Sequence, residues 1–430
     1  MAESKQIGFF GACAIGIGGM VGGGIFAVLG EAVELAHGGT AFAFAVAGVL
    51  ALLTAYAYAR LSVAYPSSGG TVVFLHRAFG ADLATGSLNA MLWLSYLVTL
   101  ALYAVAFGAY ALPFFGDEAA PWLKNVFISV GILLPVGINL LNADIVSKSE
   151  LAIVVLKLTL LFVVIIAGLG TADTSKLAPS TWEGFGPLLV AGLVIFVAYE
   201  GFELIANSAA DIQDPKRTLP RAFLFTVVFV TVLYILVAIV TVGSLPPERI
   251  AAAQDYALAE AAKPALGHVG FVCVSISALL ATFSAINATI YGSARLGFTL
   301  ARDREMPPVL ARKVWHRPVV GVFAVGGISL LLANLVDLTE IATLASAGFL
   351  LVFAAVNASA CKLGPTIGAN RLVTGFGALA CLGALIVLLV HSAQSSPIAV
   401  WMFAGFVALA VGFELVLTHV LGRPIALDDA

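Results

Sequence analysis

Uncharged or nearly uncharged stretches of about 20 residues follow one another along the whole chain, and that recurrence limits what it can fold into. In lipid a backbone satisfies its polar groups only as helices or as a closed barrel. Stretches this long and this apolar read as helices. Of the 430 residues, 61% are hydrophobic and 10% charged, with mean hydropathy +1.06, whereas soluble domains carry about 25% charged residues. The expected fold is an all-α integral membrane protein of about twelve transmembrane helices. Its spans are placed at 7–36, 40–65, 83–115, 122–142, 150–171, 186–210, 220–243, 268–301, 318–336, 338–361, 372–391 and 397–421. The first apolar segment is too long for the core of a cleavable signal and lacks a small-residue cleavage site, so it is expected to stay as a span.

The charged residues orient these spans. With the N-terminus inside, sixteen Lys and Arg fall on the cytoplasmic side and four on the outer side, and Lys157 lies within a span, completing the 21. Both termini are therefore expected in the cytoplasm, with the protein crossing the cell membrane many times. The formal net charge is -3, and the basic loops read as topology determinants rather than as a nucleic-acid surface. The loops are short and hold no phosphate-binding G-x-x-x-x-G-K-[ST] motif, so any transport must be driven by an ion or solute gradient. The six histidines are scattered among loops and span ends, and Cys13, Cys273, Cys361 and Cys381 lack metal-ligand spacing. The cysteines read as packing residues, and neither a cofactor nor a metal is expected.

Two spans are interrupted where they are otherwise apolar. Gly16-Ile-Gly-Gly-Met-Val-Gly-Gly-Gly-Ile25 puts six glycines into ten residues of the first, and each mid-helix glycine costs roughly 0.5–1 kcal/mol relative to alanine. In the sixth, Phe196-Val-Ala-Tyr-Glu-Gly-Phe-Glu203 inserts two carboxylates and a glycine. A carboxylate near the bilayer centre costs about 2.5–3.5 kcal/mol on insertion scales, so it normally faces protein or water. The breaks are five spans apart, so the two spans run in opposite directions. Spans one to five (7–171) and six to ten (186–361) then read as inverted halves, each opening on a broken helix, with helices eleven and twelve (372–421) outside the repeat. Unwound backbone at membrane depth is expected to line a binding site. Close helix packing of the GxxxG kind is the other reading of the glycines.

Lys157 stands alone, with no charged neighbour between residues 151 and 172. Burial disfavours an ammonium, so a buried lysine can load and release protons. The bland alternative is snorkelling, since Glu150 lies about 10 Å away along a helix rising ~1.5 Å per residue.

The chain resembles the amino acid–polyamine–organocation transporters of the leucine-transporter fold, and is especially similar to archaeal proton-coupled, broad-specificity amino acid transporters. The residues that carry the likeness are Gly19-Met-Val-Gly-Gly-Gly-Ile-Phe26, Tyr65-Pro-Ser-Ser-Gly-Gly70, Lys157, Tyr199-Glu-Gly-Phe-Glu203, Asp214-Pro-Lys-Arg-Thr-Leu-Pro-Arg221 and Asn287-Ala-Thr-Ile-Tyr-Gly292. The resemblance implies that amides of Gly22, Gly23 and Gly24 cradle a substrate α-carboxylate, which suits the positive end of the half-helix starting there. Met20, Val197, Ala198, Glu200 and Gly201 would supply carbonyls or wall, and Ser95, Tyr96 and Tyr103 would line the pocket from span three. A lysine at the position of Lys157 takes the place of a sodium ion in similar archaeal proteins and accepts the coupling proton, with Ser284 nearby. Glu203 reads as a helix cap or a proton-linked group. Glu200 stands where an apolar residue is more usual, and would favour a cationic amino acid or amine, or pair with Lys157 or a backbone amide.

The reading that follows is a secondary active transporter, a proton-coupled and sodium-independent amino acid symporter working by alternating access. An amino acid or polyamine exchanger of the same fold is the alternative. A membrane-embedded enzyme or a non-transporting subunit is a third class, which no catalytic constellation supports. The expected partners are an amino acid, a proton and the lipid bilayer. The preferred substrate and the oligomeric state stay open.

Overall fold

The computed structural model describes residues 7–116, 120–141, 143–253, 256–312 and 319–420, without the side chains of 141, 143–151, 247, 251 and 418–420. Among the basic residues used for orientation, Lys5, Lys313, Arg317 and Arg423 lie outside the described residues. So does the side chain of Lys148, and so do the span ends at residues 142, 318 and 421.

The described chain is almost wholly helical. The first span is divided into α1 (Phe9–Met20) and α2 (Gly24–Ala36), and a turn at His37–Gly39 leads into α3 (Thr40–Ala64). Helix α4 (Thr71–Phe79) precedes α5 (Leu83–Ala111), α6 (Trp122–Leu141) and α7 (Ala143–Leu169). The sixth span holds α8 (Phe185–Val194), a tighter 3-10 turn at Ile195–Tyr199, and the short α9 (Leu204–Asn207). There follow α10 (Pro215–Ser244), α11 (Pro247–Ala252), α12 (Ala257–Arg302), α13 (Val319–Leu335), α14 (Leu338–Lys362), α15 (Gly364–Ile367), α16 (Arg371–Ser395) and α17 (Pro397–Val420). Every expected span holds helix. Among the described residues ten stretches are long and apolar enough to cross a membrane, while α1 and α13 are shorter.

The differences from expectation lie at polar ends. Helix α7 starts at Ala143 and α10 at Pro215, earlier than the expected 150 and 220. Charged residues mark where lipid ends, not where a helix must end, and Pro215 occupies the first helical position, where its missing N–H costs nothing. Helix α12 begins at Ala257 rather than 268, but turns sharply at Gly267, whose φ is +61°. The span proper starts at that turn.

Packing sorts the helices into centre and rim. In its most apolar window α5 is 94% buried, as are 89% of Phe185–Asn207 and 83% of α14, against 33% for α6, α7 and α16 and 22% for α17. The broken sixth span therefore sits in the middle of the molecule, with α5 and α14. A pair of backbone hydrogen bonds ties together the start of the first broken span and the end of the sixth: Ile7 N–H donates to Asp211 O at 2.8 Å, and Gln213 N–H donates to Ile7 O at 2.9 Å. The four cysteines form no disulfide.

Candidate functional site

Helix α1 stops at Met20, and Val21 leaves helical geometry with φ -79° and ψ 52°. Helix α2 restarts at Gly24. Its first N–H groups have no acceptor inside the helix, so they face the break. The sixth span unwinds over a longer stretch: Glu200 is extended at φ -60° and ψ 150°, and Gly201 has φ +115°. That backbone conformation is rare for any residue with a Cβ.

The two breaks touch. A Cβ on Gly201 would lie 2.4 Å from Gly19 C, and one on Gly24 would lie 2.8 Å from Ala198 Cα. The glycine run thus lets two backbones meet. On the other side, a Cβ on Gly23 would fall 2.4 Å from the Tyr103 ring, and one on Gly22 would fall 3.0 Å from Ala285 Cβ. Close packing and an open set of amides are two aspects of the same run, not competing readings.

Side chains from three helices hold the break in span six. Ser346 of α14 donates to Val194 O at 2.7 Å and accepts from Val197 N–H at 3.0 Å. It satisfies an acceptor and a donor that unwinding would otherwise orphan. The Tyr234 hydroxyl of α10 lies 2.7 Å from Met20 O and 3.0 Å from Ala198 O, reaching both breaks. Tyr199 itself donates to Phe44 O at 2.7 Å. Glu203 accepts from Gly201 N–H at 2.7 Å and from the Tyr96 hydroxyl of α5 at 3.1 Å.

Of the residues expected at a site, Met20, Gly22, Gly23, Gly24, Val197, Ala198, Glu200, Gly201, Glu203, Tyr96 and Tyr103 all come together, and all are buried. Lys157 reaches the same place from α7. Although two-thirds of that helix's apolar window is open to the surroundings, Lys157 is 0% exposed, and its Nζ donates to Gly18 O at 3.0 Å. Its side chain points inward to the break rather than along the helix to the interface. Ser284 is half-buried on α12, on the face that carries Ser277, two turns away. Ser277 donates to the backbone oxygen of Lys157 at 3.3 Å. Ser95 bonds back to Met91 O at 2.8 Å and packs against Gly348 of α14, so its hydroxyl is engaged with its own helix and with α14.

Tyr234 and Ser346 had no signal in the sequence. Each is a single polar residue in an apolar span, a pattern that several packing residues share. A cavity of about 500 Å³, lined in part by Glu34, Glu183 and His391, lies elsewhere, beside Pro187 and Val387. Among the described residues no group of His, Cys, Asp and Glu is arranged to hold a metal.

An amino acid permease family model matches residues 7–418 of this chain. The chain belongs to that family. It is 33% identical to an uncharacterized protein of Methanocaldococcus jannaschii, over 98% of this chain and 97% of that one. It is 34% identical to the inner membrane transport protein YbaT of Escherichia coli K12, over 93% of each. With the branched-chain amino acid permease BcaP of Bacillus subtilis it shares 25% identity, over 82% of this chain and 79% of that one. The permease is accordingly a multi-pass membrane transporter of amino acids and not an enzyme.

Proposed function

We propose that this permease is a proton-coupled, sodium-independent amino acid symporter, and that its substrate lies between the two breaks. The observation that carries the coupling is Lys157, wholly buried with its ammonium on Gly18 O beside the first break. A lysine there supplies a built-in cation to the carbonyl, so a sodium ion has no task at that point. Losing its proton removes the charge that the carbonyl binds, and with it one hold on α1. The amides of Gly22 to Gly24 take the α-carboxylate at the start of α2, and carbonyls of Met20 and Ala198 face the amino group. Tyr96 and Tyr103 form the wall on α5.

Alternating access follows from two inverted halves, 7–171 and 186–361, rocking about the breaks. The backbone link from Ile7 to Asp211 and Gln213 makes the inner ends of both broken spans move as one. The end of the molecule carrying the basic loops is cytoplasmic in this reading, and the membrane is the plasma membrane.

The test is uptake of labelled amino acids into liposomes holding the purified protein, with an imposed pH gradient, with and without sodium, and with or without internal amino acid. Uptake is expected to follow the proton gradient and ignore sodium, and Lys157→Ala is expected to lose the gradient-driven component. Uptake that ignores pH but requires internal amino acid would establish exchange instead. Sodium dependence would remove the role given to Lys157.

A further inference from the structure

Three ionisable side chains meet the breaks, and two of them are answered within the protein. Lys157 donates to Gly18 O. Glu203 accepts from Gly201 N–H and from the Tyr96 hydroxyl. The backbone amide that was open to either glutamate thus goes to Glu203.

Glu200 is the third. It is 4% exposed, and its Oε2 has no hydrogen-bond partner. Among the described residues, the groups whose charge or dipole acts on it are Glu203, Tyr96 and Tyr103, with the Thr99 hydroxyl as its hydrogen-bonding neighbour. Thr99, the hydroxyl beside it, gives its proton to Ser95 O at 3.1 Å. In its charged form a carboxylate buried in this way is costly, so it either holds a proton or is joined by a cation.

Tyr103 sets where that cation must come from. Its ring covers Gly23, one of the three cradle glycines, and the same residue is within electrostatic range of Glu200. Cradle and carboxylate therefore share one wall. A buried carboxylate within electrostatic range of two tyrosines suits an organic cation, which gains an ion pair there. The α-ammonium does not need it, because the carbonyls of Met20 and Ala198 each keep a lone pair beside the Tyr234 hydroxyl.

We propose that Glu200 is a cation subsite that receives the charged side-chain end of a basic amino acid, whose α-carboxylate lies against Gly22 to Gly24. This rests on the site given under Proposed function. It makes Glu200 a determinant of specificity, separate from the coupling role of Lys157.

The experiment compares binding of L-lysine, L-ornithine and L-norleucine to the purified full-length protein and to its Glu200→Gln and Glu200→Asp variants. Norleucine has the length of the lysine chain without its nitrogen. The unmodified protein is expected to favour lysine or ornithine over norleucine by at least about thirtyfold, the scale of one buried charge pair. In Glu200→Gln that ratio falls close to one. In Glu200→Asp, whose carboxylate is one methylene further back, the preference moves toward the longer cation and so reports binding even where the glutamine variant is unstable. An unchanged ratio in the variants overturns the proposal. Equal loss of all three ligands overturns it too, and assigns Glu200 to the α-ammonium. Absence of a cation preference in the unmodified protein, with only the pH dependence altered in Glu200→Gln, also overturns it and makes the residue a proton carrier. If no amino acid binds the unmodified protein, the substrate site itself is wrong, which is a different result from all of these.

Discussion

At residues 21–23 the unwound chain is a valine and two glycines and brings no charge of its own, whereas at 195–203 the unwound stretch carries a tyrosine and two carboxylates. The first break is a matter of space. Gly19, Gly23 and Gly24 admit Gly201, Tyr103 and Ala198 to distances that a Cβ would forbid, and the charge beside it is lent by Lys157 from another helix. The second break is a matter of polar partners. Ser346, Tyr234, Tyr96 and Glu203 each satisfy backbone or carboxylate atoms there. Unwinding at membrane depth thus has two workable forms, one that removes side chains and one that recruits them.

The contrast can be broken at several points, and the largest effect is expected where both forms meet. Gly201→Ala places a Cβ against Gly19 C and on a backbone at φ +115°. Strain and overpacking together are expected to cost on the order of 3 kcal/mol or more. The expected readout is a large drop in melting temperature in detergent, together with loss of transport. A protein that melts like the unmodified one would show that the breaks can separate.

Ser346→Ala tests the recruited form directly. It leaves Val194 O and Val197 N–H without their partner and is expected to cost about 1–3 kcal/mol, read as lowered thermal stability with no steric change. If stability is unchanged, water has replaced the hydroxyl and the Ser346 contact is not needed. Tyr234→Phe is the mildest, removing a hydroxyl that lies between two carbonyls, each able to bind another donor. A loss of about 1 kcal/mol is expected, and in the proposed site it should fall with saturating amino acid, whose ammonium would reach the same carbonyls. A loss that substrate does not reduce would separate Tyr234 from the site.

The breaks were legible in the sequence because glycine and carboxylate are out of place in apolar spans, and lipid makes such exceptions conspicuous. Lys157 was legible as an isolated charge, but its direction was not. Whether it reached the interface or a break carbonyl depended on what packed against α7, and Gly18 lies in a helix 139 residues earlier. The same limit hid Ser346 and Tyr234, and it hid the bond of the Ser95 hydroxyl to Met91 O. Helices α7 and α10 begin at Ala143 and Pro215, before their apolar spans, because polar residues stop the hydropathy signal before they stop the helix.

Sequence by itself determined the spans, the two places where helix fails and the residue types collected there, since these follow from local composition and the demand that backbone in lipid be satisfied. Tertiary structure decided which acid is answered and which is not. Glu200 and Glu203 are three residues apart and chemically identical, yet Gly201 N–H and Tyr96 bind only Glu203. That choice is made by the turn at Gly201 and by the helix packed against it, and no local pattern encodes either.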